Sequence, residues 1–153
     1  MLRKAGADDI PAIDRCNRAV LAENYTPDLY ERLFAEDAAA SCFVVEEIEE
    51  SVEEVVGYVL LYIEMIRGRP VCHVMSLGIL PEHRRRGHAE ALMRAARGDI
   101  LERYCVAKFT LHVRKSNKRA QALYFKLGYG RSKKVKKYYA DSEDAYVMEL
   151  VES

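Results

Sequence analysis

Apolar and polar positions along this chain separate into strand-like and helix-like stretches. Leu2 to Ala5 reads as a short strand. Ile10, Ile13, Cys16 or Asn17, and Val20 then recur with a rough helical period, behind Asp8 or Asp9 as a cap and with Pro11 tolerated in the first turn. Thr26-Pro27-Asp28 repeats the cap-then-proline start and leads into Tyr30, Leu33 and Phe34. Ser41 to Glu46, Val55 to Met65 and Val71 to Leu80 are rich in Val, Ile, Phe and Tyr, which pack well on a pleated surface, and read as three strands. The glutamate-rich stretch between the first two is expected to be a long hairpin connection, and Arg67-Gly68-Arg69-Pro70 to be a turn. From His88 to Tyr104, the residues Leu92, Met93, Ala96, Ile100, Leu101 and Tyr104 fall on one stripe, an amphipathic helix that Gly98 weakens without breaking. Val106 to Arg114 is a strand, Asn117 to Lys126 a short helix, and Gly128 its stop. Tyr129 to Tyr139 and Ala145 to Val151 complete the strands.

The order is one strand, two helices, three strands, then helix, strand, helix and two strands. The strand–helix–strand crossover makes 71–80 and 106–114 parallel neighbours in an otherwise largely antiparallel sheet. The fold class is therefore α/β in the α+β sense, a mixed seven-stranded sheet with four helices. At 153 residues, with no linker, repeat or low-complexity tract, a single domain over 1–153 is expected.

Charge narrows the picture only locally. Lys and Arg number 24 and Asp and Glu 24, so bulk charge points neither to nucleic acid nor to an acidic tail. Glu46, Glu47, Glu49, Glu50, Glu53 and Glu54 crowd one segment and Lys133, Lys134, Lys136 and Lys137 another; both read first as solvated faces. Cys16, Cys42, Cys72 and Cys105 are scattered without a C-x-x-C pair, as expected of buried, reduced thiols. No apolar run approaches the roughly 18 residues of a membrane span, and the first residues lack the apolar core of a signal peptide, so a cytoplasmic location is expected.

The candidate chemistry begins at Arg84-Arg85-Arg86-Gly87-His88-Ala89, between a strand and a helix. Strand, glycine turn and helix together present backbone N–H groups to an anion. A pyrophosphate site and a tight turn with solvated arginines are both compatible with these residues. Gly78, inside a strand, marks a bulge or a close backbone approach. His73 and His112 lie on adjacent strands and could act as a pair in proton transfer; no third ligand accompanies them, so no metal is expected. His83 and His88, flanking the arginines, are expected to be exposed. Tyr124 either fills the core or points toward the space between the parallel strands. Tyr138-Tyr139 precede a polar loop, 140–144, and read as strand residues.

The order of elements and these residues resemble the GNAT superfamily of acetyl-CoA-dependent N-acetyltransferases. Its Arg/Gln-x-x-Gly-x-Gly/Ala motif matches Arg84 to Ala89. Within it the chain is similar to the protein N-terminal acetyltransferases, above all the NatA (Ard1) type of catalytic subunit, archaeal forms included. Three stretches carry this: Leu21-Ala22-Glu23-Asn24-Tyr25, Leu111 to Asn117 and Tyr138 to Tyr146. Ala22 stands where the eukaryotic NatA subunit usually has proline, and His73 where the related Nat E-type enzyme has tyrosine. The resemblance implies a GNAT fold with a splayed parallel central strand pair. It implies acetyl-CoA as co-substrate, held by the backbone of Leu77, Gly78 and Ile79, by Arg84, Arg85, Arg86, Gly87, His88, Ala89 and Glu90, and by Asn117, Tyr124 and Lys126. It implies a peptide side lined by Tyr25, Tyr138 and Tyr139. Glu23, His73 and His112 become the candidates for base, and Tyr124 the candidate acid. The implied reaction is direct acetyl transfer to the α-amine of a protein or nascent-chain N-terminus, with lysine side chains or small amines as the alternative acceptors. An auxiliary subunit and ribosome association are compatible with it; a membrane or a specific nucleic acid is not expected.

Overall fold

The computed structural model describes residues 1–21, 23–35 and 38–152, so the comparison at Ala22 lies outside the described residues. Its strands are β1 (Leu2–Lys4), β2 (Ala40–Glu49), β3 (Val52–Ile66), β4 (Arg69–Ile79), β5 (Lys108–Arg114), β6 (Gly130–Val135) and β7 (Ala145–Val151). Its helices are α1 (Ile10–Val20), α2 (Pro27–Leu33), α3 (His88–Arg103) and α4 (Lys118–Lys126). The strands form one sheet in the order β1-β2-β3-β4-β5-β7-β6. β4 and β5 are parallel, in the register Val71 to Lys108, Cys72 to Phe109 and His73 to Thr110. β5 pairs antiparallel with β7 from Lys108 to Arg114.

Two tight turns build the first part of the sheet. Glu50 and Ser51 both have positive φ (50° and 66°), as do Arg67 and Gly68 (52° and 77°). Two successive left-handed residues match the right-handed twist of a hairpin. The glutamate-rich segment is therefore no long connection. β2 and β3 extend through it and pair Glu47 with Glu54 and Ile48 with Glu53. A second difference lies at Tyr138 and Tyr139, which belong to the loop after β6, because β6 stops at Val135. Asp9 stands at the N-cap of α1 without capping it. Its carboxylate accepts from Arg3 and from the Gly6 N–H instead, each at 2.8 Å.

The described residues fall into two compact units, 1–62 with 75–104 and 63–74 with 105–153. In the first, Ile13 and Cys16 of α1, Tyr30 of α2, Cys42 and Val44 of β2, and Val55, Tyr58 and Leu60 of β3 form a buried cluster. α3 adds Leu92, Met93, Ala96 and Ile100 on its buried stripe, while Leu101 stays partly exposed. Truncating a fully buried Ile such as Ile100 to Ala should cost about 2–5 kcal/mol. In the second, Phe109, Leu111 and Val113 of β5 are buried, with Ala145, Val147 and Met148 of β7. α4 ends as expected: Gly128 has φ 98°, and the Tyr129 N–H reaches the Tyr124 carbonyl at 2.9 Å. Cys16, Cys42 and Cys72 are buried, and burial raises each thiol's pKa, to about 11 for Cys16 and about 12 for Cys72. Cys105 is exposed, contrary to expectation; it lies in the connection between α3 and β5, outside regular structure.

Candidate active site

In the first unit, β4 ends at Ile79 and the chain passes through a short 3-10 turn, Pro81–His83, into the arginine segment. Gly87, at the N-cap of α3, has φ 79°, and Arg85 has φ 65°. A side chain at Gly87 would meet nothing within 4 Å, so the need for glycine there is conformational. No side chain caps α3. The first N–H groups of a helix have no intrahelical acceptor, and the dipole adds positive charge at that end. Chemically, such an arrangement suits an anion.

The three arginines differ. Arg84 donates from Nε to the Ile79 carbonyl at 2.9 Å, which ties the turn to the end of β4. Arg86 bonds to Glu47 of β2. Arg85 makes no hydrogen bond or ion pair among the described residues. The expectation of exposed histidines fails here. His83 and His88 have side chains only 12% and 19% exposed, and both bond to the Glu47 carboxylate, His88 through Nε2 at 2.8 Å. Glu47, which reads in the sequence as part of a solvated face, is a half-buried counter-charge. Its carboxyl is held at about 2, first by the His88 bond and then by Arg86.

The same unit holds the segment before α2. Asn17 is fully buried; its Nδ2 donates to the Glu23 carbonyl at 3.1 Å and to the Tyr58 hydroxyl at 3.0 Å. Tyr58 also bonds to Ser76 of β4. Tyr25 donates to the Met75 carbonyl at 3.2 Å and meets Tyr30 edge-on. Glu23 and Tyr25 are thus fixed to β3 and β4 by side chains that no motif marks. Gly78 is a core-strand residue crowded by side chains rather than by another backbone: a Cβ there would lie 2.8 Å from Val20 Cγ2 and 3.0 Å from Tyr58 Cε1. Gly78, Leu77 and Ile79 lie in the last turn-ward residues of β4, within the sheet.

In the second unit, His73 aligns with Thr110, which shares a face of β5 with His112. His73 lies 3.5 Å from Glu64. The His112 pKa is lowered, chiefly by desolvation and then by the nearby charges of His73 and Lys133. His112 is an exposed residue, but Tyr138 stacks flat on the face of its ring, with centroids 4.2 Å apart and planes 6° apart. Tyr138 in turn meets Tyr139 edge-on at 5.0 Å. The Arg114 guanidinium lies over the Tyr139 ring at 4.0 Å and pairs with Asp141 at 2.9 Å and Glu143 at 3.0 Å. Glu143 also accepts from the Ser116 N–H at 2.8 Å. Arg114 therefore organises the loop that carries both tyrosines, and sequence reasoning gave it no such role.

Asn117 is the N-cap of α4, its Oδ1 accepting from the Ala120 N–H at 3.1 Å; its amide nitrogen is the part left for a ligand. Gln121, nearly fully buried, donates to the carbonyls of Arg114 and Lys115 and accepts from Arg131. Tyr124 is buried, and desolvation raises its pKa to about 12. Lys126, two residues on, closes α4 and is exposed.

Residues 10–129 match the Acetyltransferase (GNAT) family. The chain belongs to the GNAT acetyltransferases. It is 39% identical over 155 residues to the N-alpha-acetyltransferase of Saccharolobus solfataricus, across 96% of this chain and 90% of the relative. It is 38% identical over 148 residues to the N-terminal acetyltransferase A complex catalytic subunit NAA10 of Arabidopsis thaliana, across 96% of this chain and 75% of the relative. Its fold matches that of a solved NatC complex bound to Gag peptide and CoA, with a TM-score of 0.90 at 19% identity, over 100% of this chain and 98% of that one.

Proposed function

We infer that this chain transfers the acetyl group of acetyl-CoA to the free α-amine of protein N-termini. One observation carries the choice of acceptor. His112, an imidazole whose pKa is lowered, lies directly against Tyr138 in a braced aromatic loop. Near neutral pH such a ring is unprotonated and able to take a proton. An α-amine, with a pKa of about 7.7–8.0, asks only for a mild base, whereas a lysine amine near 10.4 asks for a stronger one.

The roles follow from the geometry of each unit. The uncapped N-terminus of α3 and the left-handed Arg85 and Gly87 fit the diphosphate of acetyl-CoA, with Arg85 as its side-chain cation. The backbone of Leu77 to Ile79 is assigned to the pantetheine arm, and the Asn117 amide and Lys126 to further cofactor contacts. Tyr25, Tyr138 and Tyr139 hold the peptide. The amine forms its bond to the thioester carbonyl carbon as the C–S bond breaks. Its proton goes to His112, His73 or Glu23, directly or through a water. Tyr124, protonated at the start of each turnover because its pKa is raised to about 12, gives its proton to the departing thiolate and is reprotonated by the proton that the base took from the amine.

We read both units as parts of one acetyltransferase domain, because the family match at 10–129 takes in residues of each. No helix among the described residues is long and apolar enough to cross a membrane. The Lys133 and Lys134 side chains of the exposed strand β6, with Lys136 and Lys137 after it, support ribosome association; a pelleting assay across a salt series tests it. The Arabidopsis relative is named as the catalytic subunit of a complex, and co-purification of a second subunit would extend that arrangement to this chain.

The test compares two peptides of one sequence, one with a free N-terminus and one N-terminally blocked with an internal lysine. Turnover of the first alone is expected. Equal or faster turnover of the second assigns the chain to lysine acetylation.

A further inference from the structure

We propose that Glu47 is a positioning residue for the acetyl-CoA turn: its carboxylate holds His83, Arg86 and His88 away from the phosphates, leaving them to the backbone N–H groups beside Gly87 and to Arg85. The proposal rests on the reading of this turn as the diphosphate site.

The contacts come from far along the chain. Glu47 lies on β2, 36 residues before His83 and 41 before His88. Its Oε2 takes His83 Nδ1 and an Arg86 amino group, while Oε1 takes His88 Nε2 at 2.8 Å. A second contact joins Arg86 to His83 at 3.3 Å. A carboxylate offers about four acceptor directions, so one side chain can serve all three donors. Those donors sit before the arginine run, at its end and at the first residue of α3. They bracket Arg85 and Gly87, the two left-handed residues. A left-handed conformation is unfavourable for arginine and persists only where its surroundings fix it. Arg84 is committed as well, to the Ile79 carbonyl.

The charged groups facing this carboxylate are His83 and Arg86 from the turn and His88 from α3; Glu54 is its cross-strand neighbour on β3. Hydrogen bonds from His88, Arg86 and His83, together with the Arg86 charge, keep Glu47 ionised at any working pH. Removing it has two opposed effects. It uncovers positive charge, which attracts phosphate, and it frees the turn backbone. The second dominates, because exposed charges contribute little in water, whereas backbone donors must be held within about 0.5 Å to be effective.

Calorimetric titration of CoA, with steady-state kinetics for both substrates, tests this in wild type, Glu47→Ala, Glu47→Asp, Arg85→Ala, Arg86→Ala and the Glu47→Ala/Arg86→Ala pair. Glu47→Ala is expected to weaken CoA about tenfold and to raise the acetyl-CoA KM alike, with kcat and peptide KM within about twofold. Glu47→Asp should recover part of the loss. Arg86→Ala should weaken CoA about threefold alone and add nothing once Glu47 is gone. CoA binding unchanged or tightened in a folded Glu47→Ala protein overturns the proposal. So does an Arg86→Ala effect of equal size in both backgrounds, since Arg86 would then touch phosphate itself. If Glu47→Ala does not fold, the solvent-facing Arg86→Ala, with its split between acetyl-CoA KM and kcat, decides: an unchanged acetyl-CoA KM overturns the proposal. Arg85→Ala separates the two levels. If it weakens CoA while Glu47→Ala does not, only the Glu47 role fails. If neither weakens CoA, the diphosphate reading of the turn fails.

Discussion

The turn at 84–89 and the loop at 136–144 are braced by side chains of opposite sign. At the turn, one carboxylate, Glu47, gathers two imidazoles and a guanidinium. At the loop, one guanidinium, Arg114, gathers two carboxylates and an aromatic face. The sign follows the work. In the proposed reading the turn takes an anion, and its surplus donor side chains are held back so that backbone N–H groups and a single arginine set the geometry. A loop that holds a peptide through aromatic rings needs those rings oriented, and a planar guanidinium can stack on a ring while pairing with carboxylates. In each case the organiser lies on a strand, and the segment it organises has little regular structure of its own.

The comparison breaks most visibly at chemistry, which neither brace should touch. Tyr124→Phe should lower kcat about 100-fold, the scale of a lost general acid, while CoA affinity stays within about twofold. Stopped-time turnover and calorimetry on one preparation check it. Full turnover would remove Tyr124 from the acid role.

Next in size is the loop brace. Arg114→Ala should raise peptide KM about tenfold and leave the acetyl-CoA KM within about twofold, the mirror image of Glu47→Ala. Arg114→Lys keeps the charge but loses the fork and the stacking surface, and should rescue little. Equal shifts in both KM values would show that the loop does not act on the peptide alone.

Much of this architecture was legible in the sequence. The β4–α3–β5 crossover, the helix stripes and the Gly128 stop follow from local periodicity and turn chemistry, and all appear. The braces were not legible, because they depend on register. Glu47 is one of six glutamates in a nine-residue span. Only the tight Glu50-Ser51 turn, which continues β2 and β3 through that span, sends Glu47 toward the turn rather than into a loop. Two successive non-glycine left-handed residues give little sequence signal for such a turn. Arg114 reads in the sequence only as the end of a strand; its partners lie 27 and 29 residues away, across the β6–β7 loop. Asn17 and Ser76 were missed for a similar reason. A buried amide or hydroxyl linking strands to a loop has no spacing to recognise.

His112 gives a smaller effect, through pH. Its pKa in the folded protein is lowered, so above the unfolded value of about 6.5 both states are neutral and nothing is lost. As pH falls below that value the unfolded chain takes up the proton first, and stability declines through the folded pKa. The acid limb of kcat should likewise lie below about pH 6.5. His112→Gln should remove that limb if His112 is the base, and leave it in place if Glu23 or His73 is.

The smallest expected effect concerns the Glu50-Ser51 turn, which holds β2 in register. Replacing it by Asn-Gly, the pair that best tolerates two left-handed positions, should stabilise the chain by about 0.5–1 kcal/mol. For a protein of this size that raises the melting temperature by about 1–4 °C. Because the turn lies on the strand that carries Glu47, any kinetic change should fall on the acetyl-CoA KM, and the peptide KM should not move. A change in peptide KM instead would mean that the two braces are coupled, and that the division between cofactor turn and peptide loop is not independent.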